Sequence, residues 1–432
     1  MGRKSARVVA GRDGLWFPAG RKVTKPRYNR QLVCAALHRE GAVSRAGLHR
    51  ATGIPMSRLS EVCGGLIRDG LVRESVVAPA GGNGRGRPRT LLEIELRGLA
   101  AAVVRYDQST IEASVADLAG AVRWRRLWDV PFRDPEDTLR RVADAARRAA
   151  AAGVAAGLRV VAVGAADPGT VDVAAGRSVR AVGMPGWRNV PVVERLTDVA
   201  GPRVFIDRGD GWQALGEVTF GAGKGAKHAV FATLLEGIGG GIVEDGRLLS
   251  GRDRSAGELR HTRVSDDGPP CGCGGRGCLE AHLAPARLVA LWRDEDADAP
   301  APDADRRFPE MLAAARDGDS GARTILAEAA GRLARGLGNV VSLLNPERII
   351  LGGRFVEAGD AILAPLKAEL PKYALPELLR GVDVRLAELG DASTALGVAA
   401  HVRERLFALP AATDRPAGAG AARRADRDGD DS

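Results

Sequence analysis

The sequence predicts an α/β protein that carries a separate, basic, helical domain at its N-terminus. At 432 residues the chain is too long for one ordinary hydrophobic core, so two or three folding units are expected. Past Leu91, short apolar runs alternate with helix-like stretches, which is typical of α/β architecture. The positive charge is concentrated before that point. These observations together separate a small N-terminal domain from a larger body.

The charge distribution indicates what the N-terminal part binds. Residues 1 to 90 contain 18 Lys and Arg against 5 Asp and Glu, whereas the whole chain has a net charge of +9. The N-terminal part therefore suits a polyanion, and the alternative is a solvated basic tail. No apolar run reaches the roughly 18 residues of a membrane span. No uninterrupted apolar core follows the first basic residues, so we expect a cytoplasmic protein with no membrane contact.

Three short helices and a hairpin are predicted in the basic part. The first helix stops at Gly41, the second begins at Ser44 as its N-cap and ends at Gly53, and the third follows Pro55. An alternating strand, a glycine-rich tip and a second strand come next. This order describes a winged helix-turn-helix, with residues 1–26 as a flexible basic tail and residues 27–90 as the DNA-binding domain.

Candidate DNA contacts follow from the way such domains bind. The third helix fits the major groove, so Ser57, Arg58 and Glu61, which avoid its apolar face, are candidates for base-edge or phosphate contacts. Ser44 and Arg45, at the start of the second helix, suit phosphate. At the wing tip, Arg85-Gly86-Arg87-Pro88 resembles the core of an AT-hook, which predicts that Arg85 and Arg87 enter a minor groove. The alternative is a flexible glycine loop with solvated arginines.

A histidine and three cysteines in the body have the spacing of a metal site. His261, Cys271, Cys273 and Cys278 supply one imidazole and three thiolates within eighteen residues, which suits a closed tetrahedral Zn²⁺ site. Four protein ligands leave no open coordination position, so the zinc is expected to be structural. Clustered thiols in a cytoplasmic protein bind metal more readily than they form disulfides. The alternative is a redox or unliganded cluster.

Over nearly all of residues 28 to 405 the sequence resembles the ROK family (repressor, open reading frame, kinase), in its transcriptional-regulator branch. The segments that carry the resemblance are VGAADPGTVD, GWRNVPVVERL, EGIGGGIVEDGRLLSG, SAGELRH, CGCGGRGCLE, LLNPERIILGG and DASTALGVAAHV. It implies an actin/hexokinase-like (ribonuclease H-like) body of two lobes around a sugar cleft over residues 91–408, before a disordered tail at 409–432. It also implies a homodimer or dimer of dimers that binds double-stranded operator DNA.

The segment FIDRGDGWQALGE, residues 205 to 217, departs from the family's kinases. There an Asn that holds a sugar hydroxyl and an Asp that acts as general base precede the helix, and alignment puts Arg208 and Gly209 at those positions. Asp210 lies one residue on, where a shifted loop would restore a base. The phosphate turn falls on residues 105 to 109, which contain no glycine, and Glu236 replaces a Thr in the next phosphate strand. We therefore expect no kinase activity, since phosphoryl transfer depends on electrostatic stabilisation.

Part of the sugar site is retained. Glu258, His261 and Glu280 match family positions that contact sugar hydroxyls, while Arg208 replaces an amide and Arg260 replaces a glycine. An arginine in the cleft favours a sugar acid or sugar phosphate, because a guanidinium pairs with such groups in bidentate fashion. The alternative is a cleft that has lost its ligand and a body that only dimerises.

Three functions are compatible with these features. The sequence favours a DNA-binding transcriptional regulator, a repressor, that responds to a sugar or sugar derivative. A sugar kinase with an added DNA-binding arm is the alternative enzyme. An effector-independent DNA-binding protein is the third possibility.

Overall fold

The computed structural model describes residues 24–77, 89–181, 183–200, 203–235, 237–252, 255–297 and 303–408. Residues 1–23 of the expected N-terminal tail, the expected tail at 409–432, the wing tip with Arg85 and Arg87, and Glu236 lie outside these residues. Lys25 and Pro26, which were expected in the N-terminal tail, form the first turn of a helix. Within the described ranges, no helix combines the length and the apolarity required to cross a membrane.

The N-terminal domain has the predicted winged helix-turn-helix arrangement of three helices and a three-stranded sheet in the order β1-β3-β2. Its elements are α1 Lys25–Glu40, β1 Val43–Ser44, α2 Arg45–Thr52, α3 Met56–Arg68, β2 Val72–Val77 and β3 Arg89–Ile94. Ser44 caps α2 as expected, since its Oγ accepts a hydrogen bond of 3.2 Å from the amide of Gly47. Strand β3 pairs with β2 as far as Ile94, so the sheet of the wing extends past residue 90, where the domain boundary was expected.

The first lobe of the body is built on a five-stranded sheet in the order β11-β7-β4-β5-β6. Its elements are β4 Leu99–Tyr106, β5 Thr110–Asp117, β6 Val122–Asp129, α4 Pro135–Ala155, β7 Arg159–Asp167, β8 Thr170–Asp172, β9 Arg177–Arg180, β10 Arg188–Val190, α5 Val192–Ala200 and β11 Val204–Arg208. Strands β4, β5 and β6 are antiparallel, whereas β4, β7 and β11 are parallel. Helix α4 packs on this sheet through an alanine-rich face.

The second lobe repeats the same strand pattern in the order β14-β13-β12-β15-β16. Its elements are α6 Gly209–Phe220, β12 His228–Leu234, β13 Ile238–Glu244, β14 Arg247–Leu248, α7 Leu279–Leu283, α8 Pro285–Trp292, α9 Ala304–Asp317, α10 Ser320–Leu344, β15 Arg348–Gly353, α11 Arg354–Ala358, α12 Asp360–Glu369, α13 Pro376–Leu379 and β16 Asp383–Leu386. The last helix, α14 Ser393–Phe407, returns to the first lobe and packs on its sheet. Strands β12, β13 and β14 are antiparallel, whereas β12, β15 and β16 are parallel. The two lobes are therefore two copies of one sheet topology.

Helices α6 and α14 pack closely against each other and connect the lobes. A Cβ on Gly397 of α14 would lie 1.7 Å from the carbonyl oxygen of Trp212, and one on Gly216 of α6 would lie 2.3 Å from the carbonyl oxygen of Ser393. Only glycine permits this contact between two backbones. Because α6 begins directly after β11, the crossing fixes the chain segment at the mouth of the cleft.

The winged helix-turn-helix domain packs directly on the body. Gln31 of α1 donates a 2.7 Å hydrogen bond to the carbonyl oxygen of Ala408, and the ring of His38 lies 5.5 Å from that of Phe407. The buried side chains of the domain and of α14 belong to one continuous hydrophobic cluster. Four residues, 95–98, separate β3 from β4.

Candidate ligand cleft, metal centre and DNA-binding surface

Arg208 occupies the cleft between the two sheets. It is the last residue of β11 and the N-cap of α6, so the end of the first lobe's sheet delivers it. Its side chain is 6% exposed. Nη2 donates to the carbonyl oxygens of Gly240 and Ala256 at 2.8 and 3.2 Å, and both residues belong to the second lobe. The guanidinium therefore joins the two lobes.

Two carboxylates complete the surroundings of Arg208. Its Nε lies 3.2 Å from Oδ1 of Asp210, and its Nη1 donates to Oε1 of Glu258. The second oxygen of Glu258 is also paired, at 2.7 Å from Nε of Arg260. Two guanidinium groups thus converge on the one carboxylate of Glu258. The sequence indicated that Arg208 and Glu258 share the cleft, but it did not indicate the part that Arg260 plays.

Asp210 is engaged by the backbone. Its Oδ1 accepts a 2.8 Å hydrogen bond from the amide of Gly211, and its Oδ2 accepts a 2.9 Å hydrogen bond from the amide of Gly240. Together with the contact to Arg208, these bonds use both oxygens to hold the start of α6 against β13. Gly209, at the position aligned with the general base, has no side chain.

The side chain of Asp107 closes the turn between β4 and β5. Asp107 Oδ1 accepts hydrogen bonds of 2.8 and 2.7 Å from the amides of Ser109 and Thr110. Amides that would be needed to approach a phosphate are therefore used inside the turn. The preceding side chain, Arg105, pairs with Glu112 at 3.2 Å.

The glycines of β13 are accounted for by close packing. A Cβ on Gly240 would lie 2.6 Å from the carbonyl oxygen of Gly257, and one on Gly241 would lie 2.5 Å from Cβ of Ala214. Larger residues would push α6 and the following loop away from the strand. Close packing of β13 against α6 and the loop at Gly257 therefore explains these glycines.

A buried acid and a tyrosine connect β4 to β7 beneath the cleft. Tyr106 donates a 2.5 Å hydrogen bond to Oδ2 of Asp167, and the amide of Gly169 donates to Oδ1 at 2.8 Å. Burial raises the pKa of Asp167 to about 6, and burial together with the neighbouring acid raises the pKa of Tyr106 well above its usual value. The sequence did not single out this pair.

The four predicted metal ligands come together at the edge of the second lobe. The ligand atoms of His261, Cys271, Cys273 and Cys278 all lie within 4.8 Å of one another. The Sγ atoms of Cys273 and Cys278 are 3.7 Å apart, and Cys271 Sγ is 3.8 Å from Nδ1 of His261. A Zn–S bond of about 2.3 Å with tetrahedral angles places two thiolates about 3.8 Å apart. The donor set and its spacing fit a zinc ion.

His261 and Glu280 lie beside the cysteines of the metal centre. Oε2 of Glu280 is 3.9 Å from Sγ of Cys271, while its Oε1 would lie 2.5 Å from a Cβ on Gly237. Glu280 therefore stands between the metal centre and the turn that joins β12 to β13. Of the four predicted ligand-binding residues, the structure pairs only Arg208 and Glu258 directly.

Helix α3 divides into an apolar and a polar face, as predicted. Leu59, Val62 and Leu66 are buried, whereas Ser57, Arg58 and Glu61 are exposed. Arg58 is 56% exposed and forms an ion pair of 3.0 Å with Glu61. At the start of α2, Arg45 pairs with Glu74 of β2 at 2.6 Å. The surface formed by Ser57, Arg58 and Glu61 is called the α3 surface below.

The fold and the site define a two-lobed, actin/hexokinase-like body with a winged helix-turn-helix domain and a Cys/His centre at one edge. The family model described as the ROK family matches residues 103–405, and the chain belongs to this family.

Known relatives include both kinases and repressors. A glucokinase of Thermotoga maritima is 34% identical over 288 residues, which cover 63% of this chain and 86% of that protein. A xylose repressor of Bacillus spizizenii is 24% identical over 382 residues, which cover 88% of this chain and 96% of that protein. A crystal structure of a ROK family transcriptional regulator, described as a homolog of the E. coli MLC protein, superposes with a TM-score of 0.74 at 24% identity, covering 88% of this chain and 97% of that chain. The expected fold is confirmed.

Proposed function

We propose that this protein is a transcriptional repressor that binds operator DNA through its winged helix-turn-helix domain. The observation that carries the proposal is the exposed, polar α3 surface, presented by a domain that is packed on a ROK body. Relatives that match nearly the whole chain are named repressors, whereas the glucokinase match covers a smaller part of it. A repressor with this architecture acts in the cytoplasm, where its DNA is.

We propose that this chain has lost the kinase chemistry of the family. Gly209 offers no base, and Asp210, the one substitute nearby, has both oxygens bound to backbone amides and to Arg208. The base is therefore missing at its aligned position and its substitute is held by other partners, and loss of a general base costs roughly 10²–10⁴-fold in rate. Because some relatives are named glucokinases, a sugar kinase is the second candidate function. Transfer of phosphate from ATP to glucose above the level of a buffer blank would establish that function instead.

The body has two further roles in this proposal. His261, Cys271, Cys273 and Cys278 hold a structural Zn²⁺, which ties the loop after β14 to α7 and has no open position for catalysis. The cleft takes a sugar or a sugar derivative as effector. The proteins associate as a homodimer or a dimer of dimers, so that two α3 surfaces face a palindromic operator.

The test is fluorescence anisotropy of the zinc-loaded protein on a labelled fragment of its own upstream DNA, titrated with salt. We expect specific binding that weakens steeply with salt, because phosphate contacts release counterions. Arg58→Ala should weaken it by about 1–3 kcal/mol if Arg58 reads a base edge.

Arg380→Ala is the matched control, because Arg380 is also exposed, at 78%, and also pairs with a glutamate three residues away, but it lies at the C-terminal end of α13 in the body. Equal losses in the two variants, or no preference for the upstream DNA over unrelated DNA, would contradict the proposal.

A further inference from the structure

The position of Glu258 between Arg208 and Arg260 indicates which ligand the cleft takes. We propose that these two guanidinium groups form an anion site that the Glu258 carboxylate occupies until a ligand replaces it, and that the ligand is a sugar derivative bearing a carboxylate or a phosphate. Glu258 thus acts as an internal competitor and not as a ligand for sugar hydroxyls. The inference rests on the proposed effector role of the cleft.

The geometry of the two arginines selects for an anion. Arg208 approaches Oε1 of Glu258 and Arg260 approaches Oε2, so both oxygens of one planar anion are bound by separate cations. Carboxylate and phosphate groups match this arrangement, since each presents two or more acceptor oxygens to guanidinium groups.

Burial of Arg208 disfavours a neutral ligand. Its side chain is 6% exposed, and a buried charge requires a charged partner. A neutral sugar that displaced Glu258 would leave Arg208 with one carboxylate, that of Asp210, in place of two. An anionic ligand replaces one carboxylate by another group of the same sign, so the charge around Arg208 is conserved.

Glu258 is also placed so that it can leave. Its side chain is 28% exposed, and it lies in the loop between β14 and the short 3-10 helix Leu259–His261, directly after Gly257, whose φ is +88°. The other acid of the site differs, since Asp210 lies in the first turn of α6 and is held by two backbone amides. Exchange therefore concerns Glu258, while Asp210 stays with Arg208.

Isothermal titration calorimetry on the zinc-loaded full-length protein without DNA tests the proposal. The probes are gluconate, glucose 6-phosphate and glucose, with acetate and inorganic phosphate to measure the anionic group alone. Glu258→Gln should raise the affinity for an anionic probe by roughly ten- to hundredfold, because a charge-assisted hydrogen bond to the competitor is weakened. Arg208→Asn and Arg260→Gly should each lower that affinity.

The controls separate this effect from folding and from net charge. Glu357→Gln removes a carboxylate that pairs with Arg354 on the surface of α11, so it should leave the affinity unchanged. Zinc content and melting temperature are measured for every variant. Arg260 is on the surface of the site, so Arg260→Gly is a second test if Arg208→Asn does not fold.

The outcomes are distinct. A gain with gluconate alone identifies a carboxylate ligand, a gain with glucose 6-phosphate alone identifies a phosphate ligand, and both support the proposal. Glucose binding that is strongest in the wild type and falls in Glu258→Gln would make Glu258 a hydroxyl ligand and overturn it, as would the absence of heat from every probe in both proteins. DNA binding is measured separately, so these results leave the proposed repressor function standing.

Discussion

The charged side chains of the cleft are neutralised by each other. Arg208 has a partner for each of its three nitrogen atoms, and the carboxylates of Asp210 and Glu258 are bound on both oxygens. Removing Arg208, the most buried member, leaves the carboxylate of Asp210, which is 11% exposed, without its cation, and breaking a buried pair in this way typically costs about 3–5 kcal/mol. Polar substitutions that keep the shape are therefore the informative ones at this site.

Asp167 makes the stability of the fold depend on pH. Its folded pKa is raised to about 6 by burial, whereas the unfolded value is near 3.8. Between these values the folded state holds a proton that the unfolded state has lost, so the contribution of Asp167 to stability is largest below the unfolded pKa and decreases as the pH rises through 6. The shift of about 2 units corresponds to on the order of 3 kcal/mol.

We expect Asp167→Asn to remove this decrease, because the amide resembles the protonated acid and carries no charge. Melting temperatures of wild type and variant, compared from pH 4.5 to pH 8, measure the difference. Asp391→Asn, which changes an acid that is 74% exposed, should retain the wild-type slope. A variant that follows the wild-type curve throughout would show that Asp167 does not titrate in this range.

At residue scale, the sequence predicted which side chains occupy the cleft but not how they pair. The motif alignment identified Arg208 and Glu258, yet they are 50 residues apart and their contact depends on how the two lobes meet. The tyrosine and acid at 106 and 167 were not found, because neither belongs to a local pattern and only the parallel pairing of β4 with β7 brings them together.

Among the elements, the Cys-rich loop was the most predictable. His261 and the three cysteines are close in sequence, so spacing alone indicates the cluster, and the structure brings all four together. The glycine-rich β13 was ambiguous, because both phosphate approach and close packing select glycine. The distances from β13 to α6 and to the loop at Gly257, which only the tertiary structure provides, favour packing.

The metal centre should depend on each of its thiolates. Cys273→Ser should reduce bound zinc from about one equivalent to a small fraction and lower the melting temperature, because the site loses a thiolate and the loop after β14 loses its anchor. Zinc is measured by elemental analysis after gel filtration. Cys63→Ala removes a buried thiol of α3 outside the cluster and should keep the metal. Full zinc retention in Cys273→Ser would contradict the proposed ligand set.

In the molecule as a whole, the winged helix-turn-helix domain and the body share a core. α1 lies against the end of α14, and α14 crosses α6, which begins in the cleft. The sequence predicted both folding units but not this contact, since helix periodicity shows that a face is apolar without showing what covers it. The repeated order of the two sheets was likewise not evident, since strand pairing is not a local property.

Phe407 tests this shared core. The side chain is buried against α1 and the ring of His38, so Phe407→Ala should cost about 3–5 kcal/mol and increase hydrogen exchange at the amides of α1. Phe355→Ala is the control, because Phe355 is equally buried but lies in the core of the second lobe. Similar exchange at α1 in both variants would show that the domain is stable independently of α14.

The four-residue connection between β3 and β4 has a consequence for the operator. Four residues reach at most about 14 Å, so the α3 helix of each protomer stays close to the body of the same protomer. In the proposed dimer the separation between the two α3 helices would therefore be fixed. Adding one base pair at the centre of the operator turns one half-site by about 35° relative to the other. Two α3 helices held at a fixed separation cannot follow this rotation.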